Sequence, residues 1–114
     1  MDEEKFLIRF EGISAAEMGE KGALLVETLR STAPGVQADV VRTNADAQDM
    51  GATVVLLLGA PAVNAIAKGI ANFMVRERPG NLCIKTGDGI VVFSGDSSDA
   101  AKIAAAFAQG KPSP

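Results

Sequence analysis

The sequence predicts a small α/β (α+β) fold in which helices cover a sheet of about four strands, a two-layer sandwich. Near the N-terminus, two short segments alternate apolar and polar residues around an amphipathic stretch, as in a β-α-β crossover unit. Near the C-terminus, a glycine-rich turn joins two apolar segments, as in a β-hairpin. The 114 residues suffice for one hydrophobic core, so we expect a single domain over 1–114 with a frayed tail at 109–114.

The first strand is predicted at residues 5–11, where Phe6, Ile8 and Phe10 fall on one side. A helix should follow Ser14, because the Ser14 hydroxyl can accept the Glu17 amide while the Glu17 carboxylate reaches back, forming a capping box. Its apolar stripe recurs at spacings of three and four: Ala15, Met18, Gly22, Leu25 and Leu29. The Pro34-Gly35 pair should end this helix.

A second alternating segment, residues 36–42, predicts the second strand, with Val36, Ala38 and Val40 on one side. A strand, a helix of roughly eighteen residues and another strand form a crossover unit. We therefore expect these two strands to run in the same direction through a right-handed connection.

Residues 50–67 form an uncharged run of eighteen residues, which is the threshold length for a membrane-spanning helix. Gly59, Pro61 and Asn64 interrupt the run, so we interpret it as buried core. The Gly59-Ala60-Pro61 break divides it into a helical pair, one member at Ala52–Leu58 and the other from Pro61 to about residue 78. Ala52–Leu58 is also compatible with an interior strand, which would add a central member to the sheet and shift the topology toward a doubly wound one.

The C-terminal third predicts a hairpin and a last helix. Residues 82–86 and 90–94 flank a Gly87-Asp88-Gly89 loop, a strong hairpin signal. The stretch 96–99, DSSD, can cap a helix whose inward residues are Ala100, Ile103, Ala104 and Phe107. Gly110 should end it.

Composition excludes several classes of function. Histidine is absent, which removes the commonest general base and transition-metal ligand, and no glycine pattern matches a phosphate-binding loop. A net charge of -3 with scattered basic residues, no Trp and no Tyr argues against nucleic-acid binding. We therefore predict no catalytic, cofactor-binding or metal-binding residues, and expect a noncatalytic protein.

The N-terminus lacks the basic region and long apolar core of a secretory signal, and Cys83 is the single cysteine, so we expect a cytoplasmic protein. Cys83 should pack within a strand as a small apolar side chain. A membrane is a disfavoured partner, and a homo-oligomer stays open.

Three cations at the end of the second apolar helix are the candidate partner-binding residues: Lys68, Arg76 and Arg78. Basic residues there also compensate the helix dipole, so a solvated surface is the alternative interpretation. Anchoring to an anionic membrane would need more than three charges, since each contributes about 1 kcal/mol.

The order of these features resembles the effector-associated constant component family of bacteria. The resemblance covers residues 46–108 and rests on VVLLLGAPAVNAIAKGIANFM, the basic helix end, LCIKTGDGIVVFSG and DSSDAAKIAAAFA. Phe73 and two arginines stand where many relatives have a Trp and an arginine cluster.

The resemblance implies a constant partner of variable effectors, such as proteases or switch proteins, in bacterial conflict or defence systems. We therefore expect an adaptor or protein-interaction module whose working surface is the 61–78 helix or a sheet edge. A membrane-associated component using residues 50–74 is the first alternative, and a small enzyme that uses Asp and Lys side chains is the second.

Overall fold

The computed structural model describes residues 4–33, 35–42, 52–95 and 99–109, which form five strands and three α-helices. In chain order these are β1 (Glu4–Glu11), α1 (Ala15–Thr32), β2 (Gln37–Arg42), β3 (Ala52–Leu58), α2 (Val63–Glu77), β4 (Asn81–Thr86), β5 (Val91–Gly95) and α3 (Ala100–Gln109). One 3₁₀ turn, Ala60–Ala62, leads into α2. The predicted mixed α/β class is therefore confirmed, with one strand more than expected.

The five strands form one sheet in the order β2-β3-β1-β4-β5, and every neighbouring pair is antiparallel. The strands on either side of α1 run in the same direction, as the crossover pattern predicts, but β3 lies between them. In the same way β1 separates β3 from β4, the strands that flank α2. Two split β-α-β units of this kind form the ferredoxin-like pattern, to which β5 and α3 are appended.

The prediction of a helix at Ala52–Leu58 is wrong, because this segment is the interior strand β3. It pairs with β1 on one side and β2 on the other. Side chains on both sides of β3 are apolar or small, so the alternation that marks a strand is hidden in the sequence. Its seven residues, several of them β-branched, suit a strand better than a helix, and the doubly wound topology is not what forms.

The predicted capping box at the start of α1 is confirmed. The Glu17 amide donates to Ser14 Oγ at 3.1 Å, and the Ser14 amide donates to the Glu17 carboxylate at 3.2 Å. The helix ends at Thr32, just before the Pro34-Gly35 pair, and its length of 18 residues agrees with the prediction.

The predicted hairpin is also confirmed, with β4 and β5 antiparallel around the glycine turn. The Thr86 amide donates to the Ile90 carbonyl at 2.8 Å, and Gly89 has a positive φ of 91°. At the start of α3, the Ala101 amide donates to Asp99 Oδ1 at 2.9 Å, so the last residue of the predicted cap does cap the helix. Residues 96–98 and 110–114, with the rest of that cap, Gly110 and most of the predicted tail, lie outside the described residues.

The hydrophobic core lies between the helices and one face of the sheet, here called the inward face. Phe6 and Phe10 of β1 are buried there against two different helices. Phe6 meets Phe107 of α3 edge to face at 4.9 Å between ring centroids, and Phe10 stacks on Phe73 of α2 at 5.6 Å. Full burial of a phenylalanine side chain contributes about 1.5–3 kcal/mol, so these pairs hold α2 and α3 on the sheet.

Helix α1 approaches the same inward face at Gly22. A Cβ on Gly22 would lie 3.5 Å from Val54 and 3.8 Å from Val40, two inward residues of β3 and β2. In the part of the chain that the structure describes, no helix has both the length and the apolar character needed to cross a bilayer.

Candidate interaction site

The three predicted partner-binding residues lie at α2, the helix between α1 and α3. Lys68 and Arg76 are exposed on the helix, and Arg78 is its exposed C-cap residue. Arg78 has φ 46° and ψ 59°, a left-handed conformation that ends the helix before the buried Pro79. The structure therefore places all three cations at the surface, but in different settings.

Arg76 is held by contacts within the chain. Its guanidinium donates to Glu77 Oε2 at 3.3 Å and to Thr28 Oγ1 of α1 at 3.5 Å. It also lies over the Phe73 ring, 6.0 Å from the centroid, within the range of a cation–π interaction. Arg76 therefore joins α2 to α1, a role that sequence reasoning missed because Thr28 is 48 positions away.

Glu77 is the centre of a small charge network on this side of the helices. Lys21 of α1 donates to Glu77 Oε1 at 3.0 Å, and both side chains are about a quarter exposed. Hydrogen bonds from Lys21 and then Arg76 lower the pKa of the Glu77 carboxyl below its usual 4.5. The network ties α1 to α2 and neutralises part of the basic helix end.

The solvent-exposed side of α2 is a strip of five residues: Asn64, Lys68, Asn72, Val75 and Arg76. Spacings of three and four place them on one side of the helix. Val75 is apolar and 57% exposed, between the two cations. The strip, with Arg78 beyond its end, is a cationic surface that contains one accessible apolar side chain.

The second notable surface is the face of the sheet opposite the core, here called the open face. No described helix packs on it. The register places the following side chains there: Gln37, Asp39 and Val41 of β2, Thr53, Val55 and Leu57 of β3, Lys5, Leu7, Arg9 and Glu11 of β1, Asn81, Cys83 and Lys85 of β4, and Ser94 of β5. Leu7, Val55 and Leu57 are half-buried, so its centre is apolar.

Charges flank the apolar centre of the open face on opposite sides. Asp39 lies on the edge strand β2, where its Oδ1 accepts from Arg30 at 2.9 Å and the carboxylate stays 75% exposed. Lys85 lies on the other side, on β4, whereas Lys5 and Arg9 lie on the central strand β1, before and after Leu7. The sequence alone does not predict this surface, because the surface depends on strand order. One residue did point to it: Leu7 is apolar on the side of β1 that otherwise carries polar residues.

Cys83 is buried within β4, as predicted, and is a free thiol. Desolvation, followed by the nearby Glu11 carboxylate, raises the pKa of this thiol above 9.0. It therefore stays protonated at neutral pH and behaves as a small apolar side chain.

A cavity of about 260 Å³ opens where α1, β3 and the 3₁₀ turn meet. Its lining is apolar or backbone throughout: Ala33, Gly35, Val36, Leu57, Gly59, Pro61 and Ala62. Across residues 4–33, 35–42, 52–95 and 99–109, no three His, Cys, Asp or Glu side chains are grouped in a way that could hold a metal ion.

Comparison with known proteins adds no relative. No protein-family model, curated protein or solved structure matches the chain.

Proposed function

We propose that this chain is a noncatalytic protein-interaction module, an adaptor that acts in the cytoplasm as the constant partner of a variable effector or switch protein. The observation that carries the proposal is the exposed strip of α2, in which Val75 is accessible between Lys68 and Arg76. The resemblance to the effector-associated constant component family supplies the setting, a bacterial conflict or defence system.

The strip has the length and chemistry of a docking surface. From Asn64 to Arg76 it extends about 18 Å along the helix at 1.5 Å per residue. Lys68 and Arg78 are exposed, whereas Arg76 is already engaged with Glu77 and Thr28. A partner surface with carboxylates around a small apolar contact would complement this arrangement.

Charge at the rim of such an interface acts mainly on the association rate and its salt dependence. Each exposed pair contributes about 1 kcal/mol or less. We therefore expect an association that weakens as salt shortens the range of the electrostatic attraction.

The experiment uses the proteins encoded by the genes on either side of this one as the probes. Each is co-expressed with the full chain carrying Lys68→Glu, Arg78→Glu or both, and recovery on the tagged chain is measured. Lys102→Glu on α3 is the matched control, because Lys102 is also an exposed helical lysine. Arg76 is left unchanged, since its substitution would break contacts between α1 and α2.

We expect a protein encoded by one of the adjacent genes to be recovered with the wild-type chain and with Lys102→Glu. Recovery should be lost with the variant that carries both Lys68→Glu and Arg78→Glu. Thermal melts of all variants show whether the fold is kept. Equal recovery with the double variant and the control would contradict docking at this helix, and recovery of neither neighbour would contradict the adaptor role.

The two alternatives find less support in the described residues. A membrane-associated component would need the apolar side chains of the 50–74 segment at the surface. Val55, Leu57 and Val63 are half-buried, but most of the large ones in the described part are buried: Val54, Leu56, Leu58, Ile66, Ile70, Phe73 and Met74. Flotation of the chain with anionic liposomes would support that alternative. A small enzyme would need titratable groups in a cavity, whereas the cavity lining is apolar.

A further inference from the structure

The open face carries an apolar centre with charges of opposite sign on its two sides. One row of neighbouring residues crosses four strands in the order Asp39, Val55, Leu7 and Lys85. Asp39 is exposed, Val55 and Leu7 are half-buried, and Lys85 is partly exposed. The row is therefore acidic at one end, basic at the other and apolar between them.

Consider a two-fold axis that runs parallel to the strands, halfway between the two sheets and above the gap between β3 and β1. Rotation about this axis reverses the order of the residues in such a row. When a second copy is laid face to face about this axis, β2 lies opposite β4, and β3 lies opposite β1. Asp39 then faces Lys85 of the second copy, Lys85 faces Asp39, and Val55 faces Leu7. The row is its own complement, which is the requirement for an isologous interface.

We propose that the open face is the interface of a homodimer, in which two copies pack sheet against sheet with their strands aligned. The proposal goes beyond the adaptor function and does not depend on it. Aligned packing of two twisted sheets, about 10 Å apart, is a common arrangement of β-structure.

The adjacent rows contain two further cations, Arg9 and Lys5. The axis places Val41 opposite Cys83 of the second copy, and Thr53 opposite Arg9, so that the Thr53 hydroxyl can accept from the Arg9 guanidinium. It places Leu57 opposite Lys5, whose aliphatic stem can cover an apolar neighbour while its ammonium group reaches water. Asp39 Oδ1 already accepts from Arg30 within the chain, so the second carboxylate oxygen of Asp39 can accept from Lys85 of the second copy.

The overlapping area suits a weak, reversible dimer. About this axis β2, β3, β1 and β4 overlap the second copy, whereas β5 extends past it. Four strands spaced about 4.8 Å apart, each about 20 Å long, give a plan area of about 380 Å² per copy. Two copies then bury about 770 Å² before the relief of the side chains is counted, which is the size of a weak, transient interface. We expect dissociation at about tens of micromolar.

The first experiment measures association of the full chain by sedimentation velocity from about 1 to about 200 μM, which brackets that range. Leu7→Glu places a charge at the centre of the interface and should leave a monomer at all these concentrations. Leu24→Glu is the matched control, because Leu24 is 42% exposed on α1 and undergoes the same chemical change away from the open face. Circular dichroism and thermal melts check that both variants are folded.

The second experiment uses charge reversal. Asp39→Lys places two lysines against each other at both ends of the row, and Lys85→Glu does the same with two carboxylates. Each variant alone should dissociate at least about tenfold more readily, which corresponds to about 1.4 kcal/mol. Within one chain the two positions are about 14 Å apart, three strand spacings, so they cannot compensate each other internally at physiological salt.

Mixing the two variants should restore association. In the mixed dimer, the lysine introduced at position 39 of one copy faces the glutamate introduced at position 85 of the other. At the opposite end of the row, the native Lys85 faces the native Asp39, so both pairs are favourable. Arg30→Gln reports separately on loss of the ion pair between Arg30 and Asp39 within the chain, and should leave the dimer intact. A chain that carries both Asp39→Lys and Lys85→Glu should associate with itself, because the introduced lysine of one copy faces the introduced glutamate of the other.

Three results would overturn the proposal. The wild-type chain could be monomeric throughout the concentration range. Its association could be as strong in Leu7→Glu as in Leu24→Glu. The charge-reversed variants, each folded and dissociated, could stay apart when mixed.

Discussion

The two faces of the sheet are built by the same strands, yet neighbouring residues differ sharply in environment. On β3, Leu56 is fully buried under the helices, whereas Leu57 is half-buried on the open face. On β1, Phe6 and Phe10 contact aromatic rings of the helices, whereas Leu7 lies beside Val55 and Lys85. The inward face therefore supplies most of the stabilisation from apolar burial, whereas the apolar residues of the open face keep part of their contact with solvent.

The largest expected effect separates two adjacent leucines. Leu56→Ala should lower the free energy of unfolding by about 2–5 kcal/mol, because it leaves a cavity in a packed core. Leu57→Ala should cost less than about 1.5 kcal/mol, since that side chain already meets solvent. Urea unfolding at low protein concentration measures both in the monomer. Equal losses would show that the two faces do not differ as described.

A smaller effect tests the register that assigns β4 residues to one face or the other. Gly80 precedes β4 with φ +90°, and a Cβ there would collide with the Glu11 carbonyl oxygen of β1. We expect Gly80→Ala to cost about 1–3 kcal/mol through strain and displacement of the strand.

Gly12→Ala is the control for that experiment, because Gly12 also has a positive φ, +86°, but no atom within 4 Å of the Cβ position. It should show the conformational cost alone, about 1 kcal/mol. If the two variants unfold at the same urea concentration, the contact between Gly80 and Glu11 contributes nothing to the register.

The smallest expected effect concerns the helices that cover the inward face. The pKa of Glu77 is lowered in the folded chain by Lys21 and Arg76, so this carboxylate contributes stability above its unfolded pKa of 4.5. That contribution is lost as pH falls through the lower folded value. Glu77→Gln should therefore lower the urea midpoint at pH 7 and leave it unchanged well below that folded value. A difference that persists in acid would mean that the pair acts through packing rather than charge.

Much of the fold follows from local pattern. The strand at 5–11, the Ser14–Glu17 capping box and the hairpin around Gly87-Asp88-Gly89 each carry their information within a few residues. The strand β3 does not, because both of its sides are apolar or small and its identity depends on the strands that pair with it. Periodicity therefore predicts strands that have one polar side and misses a strand that has none.

The candidate surfaces were predictable to different degrees. The exposed positions of Lys68, Arg76 and Arg78 agree with the amphipathic pattern of α2, but the contact of Arg76 with Thr28 required the packing of two helices. The open face required strand order, because Asp39, Val55, Leu7 and Lys85 come from four separate segments. No spacing within the sequence brings those four residues into one row.

The most direct test of the difference between the two faces is an NMR experiment on an equal mixture of isotope-labelled and unlabelled chain, above the dissociation constant. Isotope filtering keeps only contacts between copies. We predict nuclear Overhauser effects between Leu7 methyl groups of one copy and Val55 methyl groups of the other. Absence of contacts between copies at Leu7 and Val55, or their appearance at Leu24 on the helices instead, would contradict the account.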